Sequence, residues 1–286
     1  MGMNTPNLDA QDSLYADQWL VESEAFAQAY VYHAARDLVP CRDGDTHLDI
    51  GSGSSVFLAL LSRKNARMAL LGVERNNQIV KKSMPVLRAV GVPVQCYDQQ
   101  KTLSDVEEFL RPDGTIRILM DDIRTTILTR ILGDRHIQSG SFLFPGVSVR
   151  VAHEAPYPPE AVEDEEERQR FIEVQRQTGE ATMRFLARYL APGGPLVMAE
   201  RFFTPKDQQE IAVNDTDIRD QLGTCAPYFD PDPEILLFRN IPTRNPQSFQ
   251  PIHYINPHTR RETDTSRVQK NAFVHRAVRN AVPWSG

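Results

Sequence analysis

The stretch HLDIGSGSS, residues 47–55, decides the fold that we predict for this chain. A short apolar run carries a carboxylate at Asp49 and leads directly into Gly51 and Gly53. Because glycines carry no Cβ, they let the backbone turn tightly and approach a ligand. The helix expected to follow offers its N-terminal amide groups to the same ligand. The stretch therefore predicts a strand that ends in a nucleotide-binding loop.

The segments on either side of this loop alternate between strand-like and helical patterns. Strand-like segments are THLDI, ARMALLGVE, VPVQCYD, TIRILMDD, PLVMAERF and PEILLFRNI, with PIHYI or AFVHRAV as a further partner strand. Strands separated by helices of about ten residues indicate parallel βαβ units, whose crossovers are right-handed. We therefore expect an α/β fold with a doubly wound, mostly parallel, seven-stranded, Rossmann-like sheet.

The regular alternation places the whole chain, residues 1–286, in one domain with three additions. Residues 16–39 form a predicted N-terminal helical lid, and residues 123–160 form an insertion after the fourth strand that would cap the acceptor. Residues 241–286 form a polar, basic C-terminal region. A long helix is expected over residues 161–190. Irregular stretches of this length inside a domain tend to be binding loops or lids.

The composition argues against several kinds of partner and site. The net charge is −6 over 286 residues, which does not favour nucleic acid or anionic membrane as a partner. The three cysteines, Cys41, Cys96 and Cys225, are far apart and suggest neither zinc nor a disulfide framework. No segment resembles a signal peptide or a bilayer-spanning helix, so a cytoplasmic location is expected.

The glycine loop departs from a dinucleotide-binding pattern in two ways. Val56 stands where the third glycine of G-x-G-x-x-G would be, and Asp49 lies two residues before Gly51. A carboxylate there would repel a pyrophosphate and attract a cationic group such as an α-ammonium. Glu74 ends the second strand, where a carboxylate binds ribose hydroxyls, and Asp98 ends the third, where it can accept from an exocyclic amine.

These residues resemble the class I S-adenosylmethionine-dependent methyltransferases. Their first motif, Asp/Glu-x-Gly-x-Gly-x-Gly, matches DIGSGSS except that Ser55 replaces the last glycine, and LAPGGPLVMAE resembles their turn into the fifth strand. The resemblance implies a methyltransferase-type fold with S-adenosyl-L-methionine as cofactor. It implies these cofactor-binding residues: Asp49 at the amino end, Gly51, Ser52 and Gly53 at the methionine part, Glu74 at the ribose, Asp98 at adenine, and Asp121 nearby.

The acceptor is expected beyond the fourth strand, near MDDIR, where Asp122 is a candidate catalytic carboxylate. The insertion adds His153 as a candidate base and Tyr157 as a hydrogen-bonding or aromatic wall residue. A plain surface strand would explain the same residues. His136 is a weaker candidate, and no metal is expected, because Glu200 is the only carboxylate in AERFF after the fifth strand.

Three functions remain open on the sequence. The first is methyl transfer to a small-molecule substrate, as in secondary metabolism. The second uses the same cofactor for aminobutyryl transfer or for cyclisation to azetidine-2-carboxylate, with release of methylthioadenosine. The third is methylation of RNA or protein, with the basic C-terminal region binding the partner. The acceptor atom is not revealed, and a homodimer contact would fall in the insertion or the C-terminal region.

Overall fold

A computed structural model of the chain describes residues 8–123, 126–143, 165–203, 229–241, 253–255, 262–264 and 270–279. The helices are α1 (Leu8–Gln28), α2 (Val31–Asp37), α3 (Val56–Lys64), α4 (Asn77–Ala89), α5 (Gln99–Ser104), α6 (Val106–Phe109), α7 (Leu128–Leu132) and α8 (Glu165–Tyr189). The strands are β1 (Thr46–Ile50), β2 (Ala69–Glu74), β3 (Val94–Tyr97), β4 (Ile116–Met120), β5 (Ser139–Leu143), β6 (Pro195–Phe203), β7 (Phe229–Ile241), β8 (His253–Ile255), β9 (Glu262–Asp264) and β10 (Lys270–Arg279).

Within these residues, eight strands form the main sheet in the order β3-β4-β2-β1-β5-β6-β10-β7, and β8 pairs with β9 separately. All pairs in the main sheet are parallel except those of β10, which runs antiparallel to both β6 and β7. The chain runs from β1 to β2 on one side and later returns to β5 on the other side of β1. The predicted doubly wound, mostly parallel sheet is confirmed.

The predicted count of seven strands is wrong, because β5 lies in the sheet between β1 and β6. The sequence predicts a strand-like segment from Ser141 within an insertion, whereas the structure makes residues 139–143 a buried central strand. Its residues on one face are Ser139 and Ser141, which bond to His47 instead of supplying the apolar side chains that mark a core strand. Helix α7 and strand β5 thus lie within the predicted insertion over 123–160, and residues 144–164 lie outside the described part.

The two ends of the chain also differ from expectation. The predicted helix over 16–39 is two helices, since Tyr30 adopts a left-handed conformation (φ 63°) between α1 and α2. At the other end, AFVHRAV lies in β10 and pairs with β7, whereas PIHYI contributes only to the small sheet. Val274 and Ala277 of β10 are fully buried. Part of the predicted polar C-terminal region is thus a core strand.

Two hydrophobic cores lie on opposite faces of the main sheet. One contains residues of α1–α4, and the other contains residues of α6, α7 and α8. Leu48 and Ile50 of β1 belong to the second core, so the alternation of strand side chains directs His47 and Asp49 to the α1–α4 face. The His47 ring lies edge-on to Phe57 of α3, as this placement requires. Among the described helices, none is long and apolar enough to cross a membrane.

Candidate cofactor site

The glycine loop folds back over β2 immediately after β1. The backbone N–H groups of Gly51 and Ser52 both donate to the carbonyl oxygen of Val73, at 2.8 and 3.0 Å. Gly72 makes this close approach feasible, because a Cβ there would come within 2.7 Å of Ser52 Oγ. The loop is therefore fixed at the carboxyl ends of β1 and β2, where open α/β sheets bind ligands.

Glu74 joins the loop after β1 to the loop after β2. One carboxylate oxygen, Oε2, accepts from the backbone N–H of Gly53 at 2.8 Å, and Oε1 accepts from the N–H of Asn76 at 2.7 Å. Burial raises the pKa of Glu74, and these two bonds oppose that rise. A carboxylate has about four acceptor positions, so Glu74 retains capacity for a further donor such as a hydroxyl.

Asp49 is the most deeply buried carboxylate of the site, with 2% of its surface exposed. Its Oδ1 accepts a hydrogen bond from the Ser141 hydroxyl at 2.6 Å. Burial raises the pKa of Asp49 to about 7, with a smaller contribution from the negative charge of Glu74. Two neighbouring buried carboxylates stabilise a cation placed beside them, because a buried charge needs an opposite partner.

Ser55, the residue that replaces the family's last glycine, retains a glycine-like backbone. Its φ is 56°, in the left-handed region, although it is not a glycine. The position precedes α3, and the Ser55 side chain makes no capping hydrogen bond. The substitution therefore leaves the turn of the loop intact and introduces local strain, since left-handed backbone is unfavourable for residues with a Cβ.

Helix α1 covers the glycine loop, which the sequence analysis did not predict in residue terms. Trp19 packs so closely on Gly53 that a Cβ at Gly53 would overlap its Nε1 atom. The hydroxyl of Ser23 is hydrogen-bonded to that of Ser54. The sequence suggests Tyr30 and Tyr32 either as a cover for the cofactor or as core residues; Tyr32 is buried and bonded to Ser23, and Tyr30 is 68% exposed. The tryptophan in α1, and not the two tyrosines, is the aromatic residue over the loop.

Asp98 does not lie beside Glu74. It follows β3, which is the edge strand and is separated from β2 by β4. Its Oδ1 accepts from the backbone N–H of Lys101 at 2.7 Å, so Asp98 caps α5 and is exposed. Asp98 thus stands at a strand exit, as predicted, but not at the one next to Glu74, and its adenine contact remains a prediction.

Asp121 occupies the strand exit next to Glu74. Its Oδ1 accepts from Gln99 Nε2 and from the backbone N–H of Asp122, both at 2.9 Å, and its Oδ2 accepts from the N–H of Ile127 at 3.0 Å. Three such bonds fix the loop after β4. Gln99, which the sequence analysis missed, thereby reaches the same edge of the sheet, and no pattern in the sequence marks this contact.

The candidate catalytic residues are placed as follows. Asp122 lies after β4, and its Oδ2 is 4.0 Å from Nη1 of Arg75. Strand β2 stands between β4 and β1, so Asp122 lies on the Glu74 side of the glycine loop. The strand order therefore does not support the expectation that the acceptor lies beyond β4. His153 and Tyr157 lie outside the described residues, and their roles remain predictions.

Two further expectations concern His136 and metals. His136 is exposed and precedes β5, at the amino end of the strand, which is opposite the edge that carries the glycine loop. In the described part of the chain, no group of three His, Cys, Asp or Glu residues is arranged to hold a metal ion. The prediction that the site needs no metal is not tested by this observation.

No protein-family model and no curated protein matches the sequence. The folded chain does match solved structures. A putative methyltransferase from Haloferax volcanii, in complex with the Trm112 methyltransferase activator, is 13% identical, with 92% of this chain and 96% of that chain covered and a TM-score of 0.46. Geranyl diphosphate C-methyltransferase from Streptomyces coelicolor A3(2) is 12% identical, with 93% and 84% covered and a TM-score of 0.48.

The [4+2]-cyclase SpnF is also similar, at 11% identity, with 89% of this chain and 82% of that chain covered and a TM-score of 0.48. Two of these names describe methyltransferases, and the third describes a cyclase. Sequence identities and TM-scores this low transfer no activity to the present chain. The doubly wound, Rossmann-like sheet predicted from the sequence is confirmed by the strand order, which reverses at β1.

Proposed function

We propose that this chain is an S-adenosylmethionine-dependent methyltransferase that acts on a small molecule. One observation carries the proposal: two buried carboxylates, Asp49 and Glu74, lie on the adjacent strands β1 and β2 and flank a glycine loop that Glu74 itself holds. The ligand that fits has a cationic amine for Asp49 and vicinal hydroxyls for Glu74. An adenosine linked to an amino acid through sulfur has both groups and no pyrophosphate for Asp49 to repel.

The loop also contains buried hydroxyls that a polar ligand would satisfy. Among the described residues, Ser52 Oγ and Ser55 Oγ have no hydrogen-bond partner, and both side chains are buried. A buried polar atom without a partner costs about 1–3 kcal/mol. A carboxylate or amine of the ligand bound over this loop is the kind of group that would offset this cost. The residues present therefore fit the predicted cofactor.

The chain's own residues would divide the work of methyl transfer. The bound cofactor supplies an electrophilic methyl carbon on a sulfonium, and the transfer needs above all an aligned acceptor. Asp49 would hold the amino end of the cofactor, and Glu74 would hold its ribose. The acceptor is expected next to β5, the strand beside β1, whose exit leads into residues 144–164. His153 in that segment is the candidate base, and Tyr157 the candidate wall of the acceptor pocket.

A second function is supported by the environment of Asp49. Burial raises the pKa of this carboxyl to about 7, at the place where the cofactor's amino group is expected. In the ligand-free site this raised pKa makes Asp49 a stronger proton acceptor than an ordinary carboxylate, which favours removal of a proton from the ammonium. The freed amine would attack the γ-carbon, the C–S bond would break, and methylthioadenosine would leave with the sulfur lone pair. The product would be azetidine-2-carboxylate.

The two functions are separated by the products formed from S-adenosylmethionine. We would incubate the purified chain with the cofactor alone and with pools of candidate small-molecule acceptors, and identify products by mass spectrometry. Methyl transfer predicts S-adenosylhomocysteine only when an acceptor is present. Methylthioadenosine formed without an acceptor, above the level in an Asp49→Asn control, would contradict methyl transfer and support cyclisation. The proposed small-molecule partner, the cytoplasmic location and a role in secondary metabolism follow from the sequence only.

A further inference from the structure

Four polar side chains form a continuous hydrogen-bonded chain between β1 and β5. His47 Nδ1 is 2.8 Å from Ser139 Oγ, and His47 Nε2 is 2.9 Å from Ser141 Oγ. Ser141 Oγ in turn is 2.6 Å from Asp49 Oδ1. The register of the two strands explains the arrangement, because His47 is aligned with Ser139 and Asp49 with Ser141. This hydrogen-bonded series ends at Asp49, the carboxylate proposed to bind the cofactor's amino group.

His47 is neutral in this environment. The ring has no exposed surface, and burial lowers its pKa to about 3. A neutral imidazole has one N–H donor and one acceptor nitrogen. It therefore donates a hydrogen bond to one of the two serine hydroxyls and accepts one from the other. With the proton on Nε2, Ser139 donates to Nδ1, Nε2–H donates to Ser141, and Ser141 donates to Asp49. With the proton on Nδ1, every bond reverses, and Asp49 must itself carry a proton to donate.

We infer that His47 is a positioning residue for the amino end of the ligand: its Nε2–H form fixes Ser141 as a donor to Asp49 and so presents an ionised, oriented carboxylate to the ligand's ammonium. This inference rests on the proposed function, which places the ammonium at Asp49. His47 touches no ligand atom in this account. It acts through Ser141, and the reverse arrangement belongs to the ligand-free, protonated state of Asp49.

The affinity for an amino-bearing ligand should depend on pH. The groups that face Asp49 are Ser141 from β5, Glu74 from β2 and His47 on its own strand, and Glu74 is the charged group among them that opposes ionisation. Because the pKa of Asp49 is about 7 without ligand, binding a cation at lower pH expels one proton from Asp49 to solvent. Affinity for an amino-bearing ligand should therefore fall about tenfold per pH unit below pH 7.

The test compares two ligands that differ at the amino end. S-adenosylhomocysteine carries the α-amino group, whereas 5′-methylthioadenosine has the same adenosine without it. We would measure both affinities by calorimetry for the wild type, His47→Phe, Ser141→Ala and His47→Gln, whose amide N–H can replace Nε2–H. Ser62→Ala is the matched control, because it removes another buried serine hydroxyl, which donates to the carbonyl oxygen of Gly114 at 2.7 Å.

We expect His47→Phe and Ser141→Ala to bind S-adenosylhomocysteine about tenfold or more weakly, as loss of a hydrogen bond to a charged group predicts, and methylthioadenosine within about twofold of wild type. His47→Gln should recover most of the loss, and Ser62→Ala should change neither affinity. Equal weakening of both ligands, or none, would overturn the role of His47. If His47→Phe fails to fold, His47→Leu, which also lacks a hydrogen-bond donor, replaces it in the same comparison. Failure of the wild type to bind either ligand would instead refute the proposed function.

Discussion

Asp49 and Glu74 combine burial with incomplete use of their hydrogen-bonding capacity. Glu74 accepts from two backbone N–H groups, and Asp49 accepts from the Ser141 hydroxyl. Both have raised pKa values, for which burial is the main cause. Buried carboxylates in this state are costly for the protein alone and become favourable when a ligand supplies donors and positive charge. The site is thus better adapted to a bound molecule than to its absence.

The two carboxylates should control different parts of the ligand. Asp49→Asn should weaken S-adenosylhomocysteine by about 2 kcal/mol or more, roughly 30-fold, because it removes one partner of a buried charge pair. The same variant should leave methylthioadenosine binding nearly unchanged. Glu74→Gln should weaken both ligands, since both carry the ribose. Calorimetric titration checks this pattern, and a Glu74→Gln variant that discriminates between the two ligands would contradict the assignment.

Ser55 offers a test of backbone strain in the loop. Its left-handed φ of 56° is unfavourable for any residue with a Cβ, and its hydroxyl caps nothing. Ser55→Gly should therefore be about 1 kcal/mol more stable than Ser55→Ala in urea unfolding. The alanine variant is the matched control, because both remove the hydroxyl and only glycine removes the strain. An alanine variant at least as stable as the glycine variant would show that the strain is absent.

At the scale of elements, the glycine loop lies between β2 and α1 and contacts both. Trp19 and Ser23 of α1 contact the loop, and Asp17 of the same helix forms an ion pair with Lys82 of α4 at 2.6 Å. Helix α1 therefore belongs to the site as well as to the core, since Trp19 also packs in the α1–α4 cluster. A change in the loop should be felt in α1.

Gly53→Ala tests this coupling. The variant meets both a left-handed φ of 51° and the overlap with Trp19, so we expect a loss of about 2–4 kcal/mol in unfolding free energy. Trp19→Ala should relieve the overlap and leave only the backbone cost. A double-mutant cycle in urea should give a coupling energy of about 1 kcal/mol or more. Additive effects of the two substitutions would contradict the packing of α1 on the loop.

The sequence predicted the elements whose patterns are local and failed where side chains act across strands. The alternation of strands and helices, the loop after β1 and the carboxylates Asp49 and Glu74 all follow from spacing along the chain. Strand β5 was predicted only as a strand-like part of an insertion, because Ser139 and Ser141 look polar until His47 is placed opposite them. No local signal reveals that β4 enters the sheet between β3 and β2 and so separates Asp98 from Glu74.

For the whole molecule, two buried groups oppose each other in the pH dependence of stability. The pKa of His47 is lowered from 6.5 to about 3, so the unfolded chain binds the extra proton and stability falls as pH drops below 6.5. The pKa of Asp49 is raised from 3.8 to about 7, so here the folded chain holds the extra proton and stability falls as pH rises from about 4 to 7. Between pH 4 and 6.5 the two contributions nearly cancel.

Asp49→Asn should expose this balance. The difference in unfolding free energy between the variant and the wild type isolates Asp49, because all other groups contribute to both proteins. This difference should increase in favour of the variant by up to about 1.4 kcal/mol per pH unit from pH 4 to 7, and then remain constant. Urea unfolding without ligand at pH 4.5, 6 and 8 measures it. A difference independent of pH would show that Asp49 titrates normally.

The central claim is that the loop HLDIGSGSS binds an adenosine-bearing cation and not a dinucleotide. Calorimetric titration of the wild-type chain at pH 8 with S-adenosylmethionine and, separately, with NAD⁺ tests this claim most directly. We predict saturable binding of S-adenosylmethionine at a single site, weakened roughly 30-fold or more in Asp49→Asn, and no binding of NAD⁺. Binding of NAD⁺ with no binding of S-adenosylmethionine would contradict the claim.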